Sequence, residues 1–295
     1  MKLFFLVNYK SGNQAKEVLI GKIHSFCDDQ NLVPEIFLFK ERNTLQDVEL
    51  ALDHFAPHMA VAVGGDGTIS MIIQLILKKK DIKLGIIPAG SANGMAKNLG
   101  IPDDVMGSLQ ILINGKDQHC DILKINDKHF CFHLGDIGFN AAIVKEFEKS
   151  GKRGYYGYVK SFFHEIFAAP EYRFSIKTEK VSERKTGAML VMANAREYGN
   201  GARINPLGEI DDGLFEIVIV RKLGLGSLWG LLKPTLLEKY QPSDTIDIIK
   251  AEKAEIEIIK GNPDLQIDGE VIGKTKNIKI EMMPKAVTFL VPATL

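Results

Sequence analysis

The chain has little cysteine, a single tryptophan and no net charge. Cys27, Cys120 and Cys131 are its three cysteines, and none forms a C-x-x-C pair. That argues against a disulfide framework and for free thiols in a reducing cytosol. The 37 basic and 37 acidic residues cancel, so no global field draws the protein to nucleic acid or to an anionic membrane. No RNA or DNA motif is present, and Lys78-Lys79-Lys80 reads as a solvated helix end. No stretch reaches the ~18 apolar residues that span a bilayer. Residues 1–7 are too short an apolar run for a signal peptide and lack a small-residue cleavage site, so they read as a first buried strand. Internal repeats and low-complexity segments are missing too.

What remains is a soluble globular composition, 45% apolar and 25% charged, long enough for one large or two ordinary domains. The first third alternates strand and helix. Strands are expected over 3–7, 35–39, 59–63 and 83–87, with helices over about 14–29, 44–55, 69–79 and 91–99. Thr44 stands as the N-cap of the second helix. Such alternation predicts a parallel sheet covered on both faces, and ligands of such sheets bind beyond the carboxyl ends of the strands. Three Gly/Asn-containing turns fall there, at 8–13, 64–68 and 88–93. After about residue 120 the texture changes to short runs separated by turn signals: 120–125, 129–134, 172–177, 188–193, 214–220, 245–249, 254–259 and 265–268. They predict a second, β-rich and antiparallel domain, interrupted by helical stretches near 156–168 and 225–240. The run 287–291 could return to either domain.

The most informative stretch is Ala60-Val61-Ala62-Val63-Gly64-Gly65-Asp66-Gly67-Thr68. A buried strand that ends in glycines and opens a helix brings bare backbone N–H groups against a ligand, and phosphate suits such a turn. Asp66 would repel phosphate unless a metal, a water or a substrate hydroxyl lies between them. The turn therefore points to phosphate chemistry and not only to phosphate binding.

Four segments together resemble the lipid kinases built on the diacylglycerol kinase catalytic domain, a group that includes the sphingosine kinases. They are Asn8-Tyr9-Lys10-Ser11-Gly12; Gly64-Gly65-Asp66-Gly67-Thr68; Pro88-Ala89-Gly90-Ser91-Ala92-Asn93; and the pair Asp211-Asp212-Gly213-Leu214 with Ile267-Asp268-Gly269-Glu270. The resemblance implies α/β plus all-β architecture. A doubly wound nucleotide-binding domain, similar to those of NAD kinase and phosphofructokinase, would cover 1–120 with a returning strand at about 285–295. A β-sandwich would cover 121–284, with the active site in the cleft between the two.

The implied reaction moves the γ-phosphoryl group of ATP, with Mg²⁺, to the hydroxyl of a lipid such as diacylglycerol. Asn8, Ser11, Gly64, Gly65, Asp66, Gly67, Thr68, Ser91 and Asn93 would hold the nucleotide. Ser91 and Asn93 read equally as an N-cap and an Asx turn, and Thr68 as a ligand hydroxyl or a helix cap. Asp66 would bind catalytic Mg²⁺ through water or contact the nucleotide. Glu270 is the implied general base; read without the resemblance, Asp268-Gly269 is a hairpin turn and Glu270 merely solvated. Asp121 is implied to orient the metal or Glu270. A structural metal is implied at the Asp212 side chain and the Leu214 and Glu209 carbonyls, the alternative being an Asp-Gly turn.

Other constellations read as ordinary. His129, Cys131 and His133 share one face of a strand but lack a fourth zinc ligand. Pro57 separates His54 from His58. The apolar clusters Trp229, Leu231, Leu232, Leu236, Leu237 and Tyr155, Tyr156, Tyr158, Phe162, Phe163 could touch acyl chains or pack over the sandwich. Transient peripheral membrane contact by a cytoplasmic protein is the expectation, with a homodimer left open. Tyr9, Ser70, Met71 and Gly94 depart from the family pattern, the last two by lacking carboxylates. A sphingosine-type kinase, an NAD kinase and a silent nucleotide-binding regulator are the alternatives.

Overall fold

A computed structural model describes residues 1–9, 16–79, 81–91, 93–138, 170–195, 197–198, 202–203, 205, 207–221 and 246–293. The chain forms two compact units, Met1–Cys120 with Lys285–Leu295, and Asp121–Pro284.

The first unit runs β1 (Lys2–Asn8), α1 (Lys16–Asp29), β2 (Val33–Phe39), α2 (Leu45–Phe55), β3 (Met59–Gly64), α3 (Asp66–Ile76), β4 (Lys83–Pro88), α4 (Gly94–Asn98) and α5 (Val105–Asn114). Its strands are parallel, in the order β2-β1-β3-β4. Odd-numbered residues Leu3, Phe5, Val7, Met59, Val61 and Val63 pack on one face against Leu19, Ile23 and Phe26 of α1 and Leu109 and Leu112 of α5. That alternation of faces is the period of a strand. The edge strand β2 carries Pro34, where a missing donor costs least. Thr44 caps α2, with Asp47 completing a capping box, as the sequence predicts.

Two differences from the expected elements matter for the site. Helix α3 begins at Asp66 instead of 69, so the Asp-Gly-Thr of the turn is itself the first helical turn. Helix α5, absent from the expected elements although Val105, Leu109 and Leu112 stand at helical spacing, is capped by Asp104, whose side chain accepts from the Gly107 N–H at 2.7 Å. Its Leu112 lies where a Cβ on Gly85 would come within 2.4 Å.

The chain enters the second unit partway along β5 (Lys116–Ile125) and continues with β6 (His129–Cys131), β7 (Leu134–Ile137), β8 (Tyr172–Thr178), β9 (Ser182–Gly187), β10 (Met189–Ala193), the short pair β11 (Glu197–Tyr198) and β12 (Ala202–Arg203), β13 (Phe215–Val220), β14 (Ile246–Ala251), β15 (Lys253–Lys260), β16 (Asp264–Ile267), β17 (Glu270–Lys274) and β18 (Asn277–Val291). One antiparallel layer has the order β14-β13-β10-β7-β16-β17. Its Ile137, Leu190, Met192, Phe215, Ile217 and Ile267 share a core with Leu123, Phe174, Ile256, Ile258, Ile278 and Ile280 of the other strands. This is a β-sandwich. Strand β18 serves both units: residues 277–281 pair antiparallel with β15, and Phe289 pairs parallel with Leu84 of β4.

The single strand expected over 129–134 is broken in two. The backbone N–H groups of Phe132, His133 and Leu134 turn away from any strand ladder and donate to the carboxylate of Asp268 at 3.0, 3.0 and 3.1 Å, joined by the Cys131 thiol at 3.3 Å. Asp268 sits in a two-residue turn between β16 and β17, with φ of 47° followed by 89° at Gly269. Two successive positive φ values are those of the tight hairpin that Asp-Gly favours. Desolvation pushes the Asp268 carboxyl up to about 6, against the pull of its four donors.

A folded-state value above that of a free carboxyl means that the folded chain holds the proton more tightly. The stability this group contributes is therefore complete below about pH 4 and is lost as pH rises through about 6. Urea unfolding of wild type and Asp268→Asn across pH 4–7 should show that difference in slope, with the variant flatter. Asp268→Ala, which strips the acceptor from three amides, should cost about 3 kcal/mol at pH 7.

Candidate functional site

In the first unit the last residue of β1 and the turns after β3 and β4 are locked together at the carboxyl ends of the strands. Gly65 and Gly90 touch backbone to backbone: a Cβ on Gly90 would fall 2.4 Å from Gly65 Cα and 2.9 Å from its nitrogen. Only glycine permits that approach. Asn8 Nδ2 reaches Thr68 Oγ1 at 3.4 Å, and Ala89 N–H donates to Gly64 O at 2.9 Å. Thr68 is turned inward, 1% exposed, and a Cβ on Gly64 would lie 2.2 Å from its hydroxyl. Its hydroxyl is thus spent on packing the turn and does not cap α3.

The N-cap of α3 is Gly65, with no side-chain cap, whereas Thr44 and Asp104 cap α2 and α5. Gly67, in the first turn of α3, is exposed, and a methyl group there would find nothing within 4 Å. An uncapped first turn with a bare, open glycine fits an anion.

Asp66 resolves the conflict its charge presents to such an anion. Its two oxygens accept from Gly94 N–H and Met95 N–H, each at 3.0 Å. The carboxylate is aimed at the start of α4, and it fixes Gly94 and Met95 relative to α3. Asn93 has φ of 52° and occupies the N-cap position of α4 without capping it. Its Oδ1 instead accepts from Gly90 N–H at 2.9 Å. Ser91 is exposed beside it. Ser11 and both aromatic and leucine clusters, 155–163 and 229–237, lie outside the described residues.

In the second unit the predicted residues form a connected line. Asp121, 0% exposed, accepts from Gly213 N–H through Oδ2 at 2.7 Å, and its own N–H donates to Ile210 O. Asp121 therefore holds the turn that carries Asp212. Asn194, also 0% exposed, donates through Nδ2 to Asp121 O at 2.8 Å and to Phe132 O at 3.1 Å. Phe132 in turn donates to Asp268, and two residues beyond Asp268 the exposed Glu270 opens β17. Neither Asn194 nor Asp268 carries a role in the sequence reading. Asn194 follows a five-residue apolar strand, and an amide at a buried strand end is the signal that could have found it.

Of the groups implied to hold a structural metal, the Asp212 carboxylate has other partners. Asp212 Oδ1 accepts from Leu214 N–H at 2.9 Å, and its Oδ2 lies 3.5 Å from Lys250 Nζ. Glu209 is exposed. Burial pulls the Lys250 pKa down, but the Glu216 and Asp212 carboxylates outweigh it and leave the ammonium more firmly charged. A cation already stands at Asp212, so this set does not fit a second one at the same oxygen. Among the described residues no three His, Cys, Asp or Glu side chains converge as a metal site. No described helix is long and apolar enough to cross a membrane.

Residues 2–125 match the diacylglycerol kinase catalytic domain, and residues 136–291 match the YegS C-terminal NAD kinase beta sandwich-like domain. A protein of Enterobacter sp. (strain 638) named "Probable lipid kinase YegS-like" is 27% identical over 79% of this chain and 77% of its own length. A diacylglycerol kinase of Staphylococcus aureus (strain Newman) is 28% identical over 72% and 68%. The crystal structure of a diacylglycerol kinase from Bacillus anthracis str. Sterne superposes with a TM-score of 0.80 at 22% identity, covering 100% of this chain and 98% of that one. Two domain matches in series, the locked glycine turns of the first unit and the sandwich of the second place this chain in the diacylglycerol kinase catalytic domain family.

Proposed function

We propose that the protein is an ATP- and Mg²⁺-dependent lipid kinase that phosphorylates the hydroxyl of a lipid such as diacylglycerol. The observation that carries this reading is the locked set of strand-end turns, with its uncapped α3 and open Gly67. Backbone N–H groups of the 64–68 turn hold nucleotide phosphates, and the 88–93 turn supplies Ser91 and Asn93 beside them. Asp66 acts on the nucleotide through the start of α4, which it holds. Magnesium, bound with ATP, supplies neutralising charge on the phosphoryl oxygens. Glu270 takes the proton of the acceptor hydroxyl as transfer proceeds. Its turn is rigid because Asp268 is tied to three backbone amides. The lipid acceptor is supported by the names of the relatives.

Incubation with Mg²⁺, γ-labelled ATP and a panel of diacylglycerol, monoacylglycerol, sphingosine and NAD tests the reading directly. Label in one lipid is expected; label in NAD alone, or in none, overturns it. Glu270→Gln should lower kcat by about 10²–10⁴-fold with the KM for ATP unchanged, and an undiminished rate would remove Glu270 as the base. The two glycines separate fold from ligand. Gly67→Ala has room and should keep or raise stability, by up to ~1 kcal/mol, while raising the ATP KM roughly tenfold. Gly90→Ala drives a methyl into Gly65 and should cost ~1–3 kcal/mol of stability as well, measurable by urea unfolding.

A further inference from the structure

Lys250 lies on β14 directly opposite Glu216 on β13. Its Nζ is 3.0 Å from Glu216 Oε1, 3.5 Å from Asp212 Oδ2 and 3.4 Å from Leu207 O. Three oxygens thus surround an ammonium that has three donors. Glu216 is 1% exposed, and its other oxygen accepts from Asn205 Nδ2 at 2.6 Å. Glu216 Oε1 accepts no hydrogen bond from any described donor, and the Lys250 ammonium at 3.0 Å is its charge partner. A carboxylate buried to that degree needs an opposite charge, and Lys250 is the one beside it.

The same ammonium ties down the chain between. Leu207 O and Asp212 mark the two ends of a loop, and Glu216 anchors both to the sheet through Lys250. A divalent ion on Asp212 Oδ2 would meet Lys250 as a like charge, and Asp212 Oδ1 is already directed at Leu214 N–H. We propose that Lys250 is the structural cation of the 207–214 segment, in place of the divalent ion that the family resemblance implies at Asp212. The segment, and with it the Gly213–Asp121 contact, then folds without metal. Any magnesium requirement of the protein is confined to the nucleotide.

Thermal unfolding of the full chain, without nucleotide or lipid, tests this independently of the phosphotransfer reading. Wild type should unfold at the same temperature in EDTA and in millimolar Mg²⁺. Lys250→Met should unfold about 5 °C lower and regain part of the loss in Mg²⁺, because Asp212, Glu216 and Leu207 O are left as an oxygen set without a cation. Lys250→Arg should retain most of the wild-type midpoint. The proposal is overturned if wild type loses several degrees in EDTA, recovers them in Mg²⁺, and Asp212→Ala abolishes that response. It is also overturned if Lys250→Met unfolds at the wild-type temperature. Should Lys250→Met fail to fold, the chelation measurement on wild type still decides.

Discussion

The Asp268 carboxylate collects three consecutive backbone amides and one thiol on its two oxygens. Each such bond to a charged acceptor is worth roughly 1.5–3 kcal/mol, and withdrawing a carboxylate from water costs several kcal/mol. Desolvation outweighs the pull of the donors, which is why the proton is held more firmly than by a free carboxyl. The geometric consequences are larger than the net energy. The amides at 132–134 are taken from the strand ladder, so the chain divides into β6 and β7. The hairpin must place both of its central residues at positive φ. Glu270 then leaves the turn in one direction, set by Asp268 and the backbone amides it holds. Through Phe132 O and Asn194 the constraint extends to Asp121 and the loop that it holds.

In the first unit the organising contact is of the opposite kind. Gly65 and Gly90 meet with no polar exchange between them, and the absence of two side chains lets two strand-end turns share one place. The Asp66 carboxylate adds direction to that contact by holding the start of α4. One unit thus orders its site residues by satisfying a carboxylate, the other by omitting Cβ atoms.

Much of this was legible in the residues. Alternating apolar runs gave the parallel sheet, Thr44 gave a helix start, and the glycine runs marked the turns at the carboxyl ends of β3 and β4. Strand β9, with the sequence Ser-Glu-Arg-Lys-Thr-Gly, was not legible, because an exposed edge strand need not carry apolar residues. Strand β17 was hidden for a related reason: the Asp-Gly turn was visible, but its exposed continuation had no burial pattern to report. The break at 132–133 could not be read from local sequence, since its cause lies more than 130 residues away. The same holds for Lys250 and Glu216, whose pairing follows from strand register and not from spacing along the chain.

Strand β18 supplies a strand to each unit, its first part beside β15 and its last part beside β4. During synthesis on the ribosome, neither β4 nor β15 can gain this partner until the stretch has emerged. The first 120 residues must therefore wait with the β4 edge of their sheet unpaired while all of the second unit is being made. An unpaired parallel strand is a ready partner for the wrong chain, so the order of synthesis sets a window of exposure that no feature of the finished fold removes.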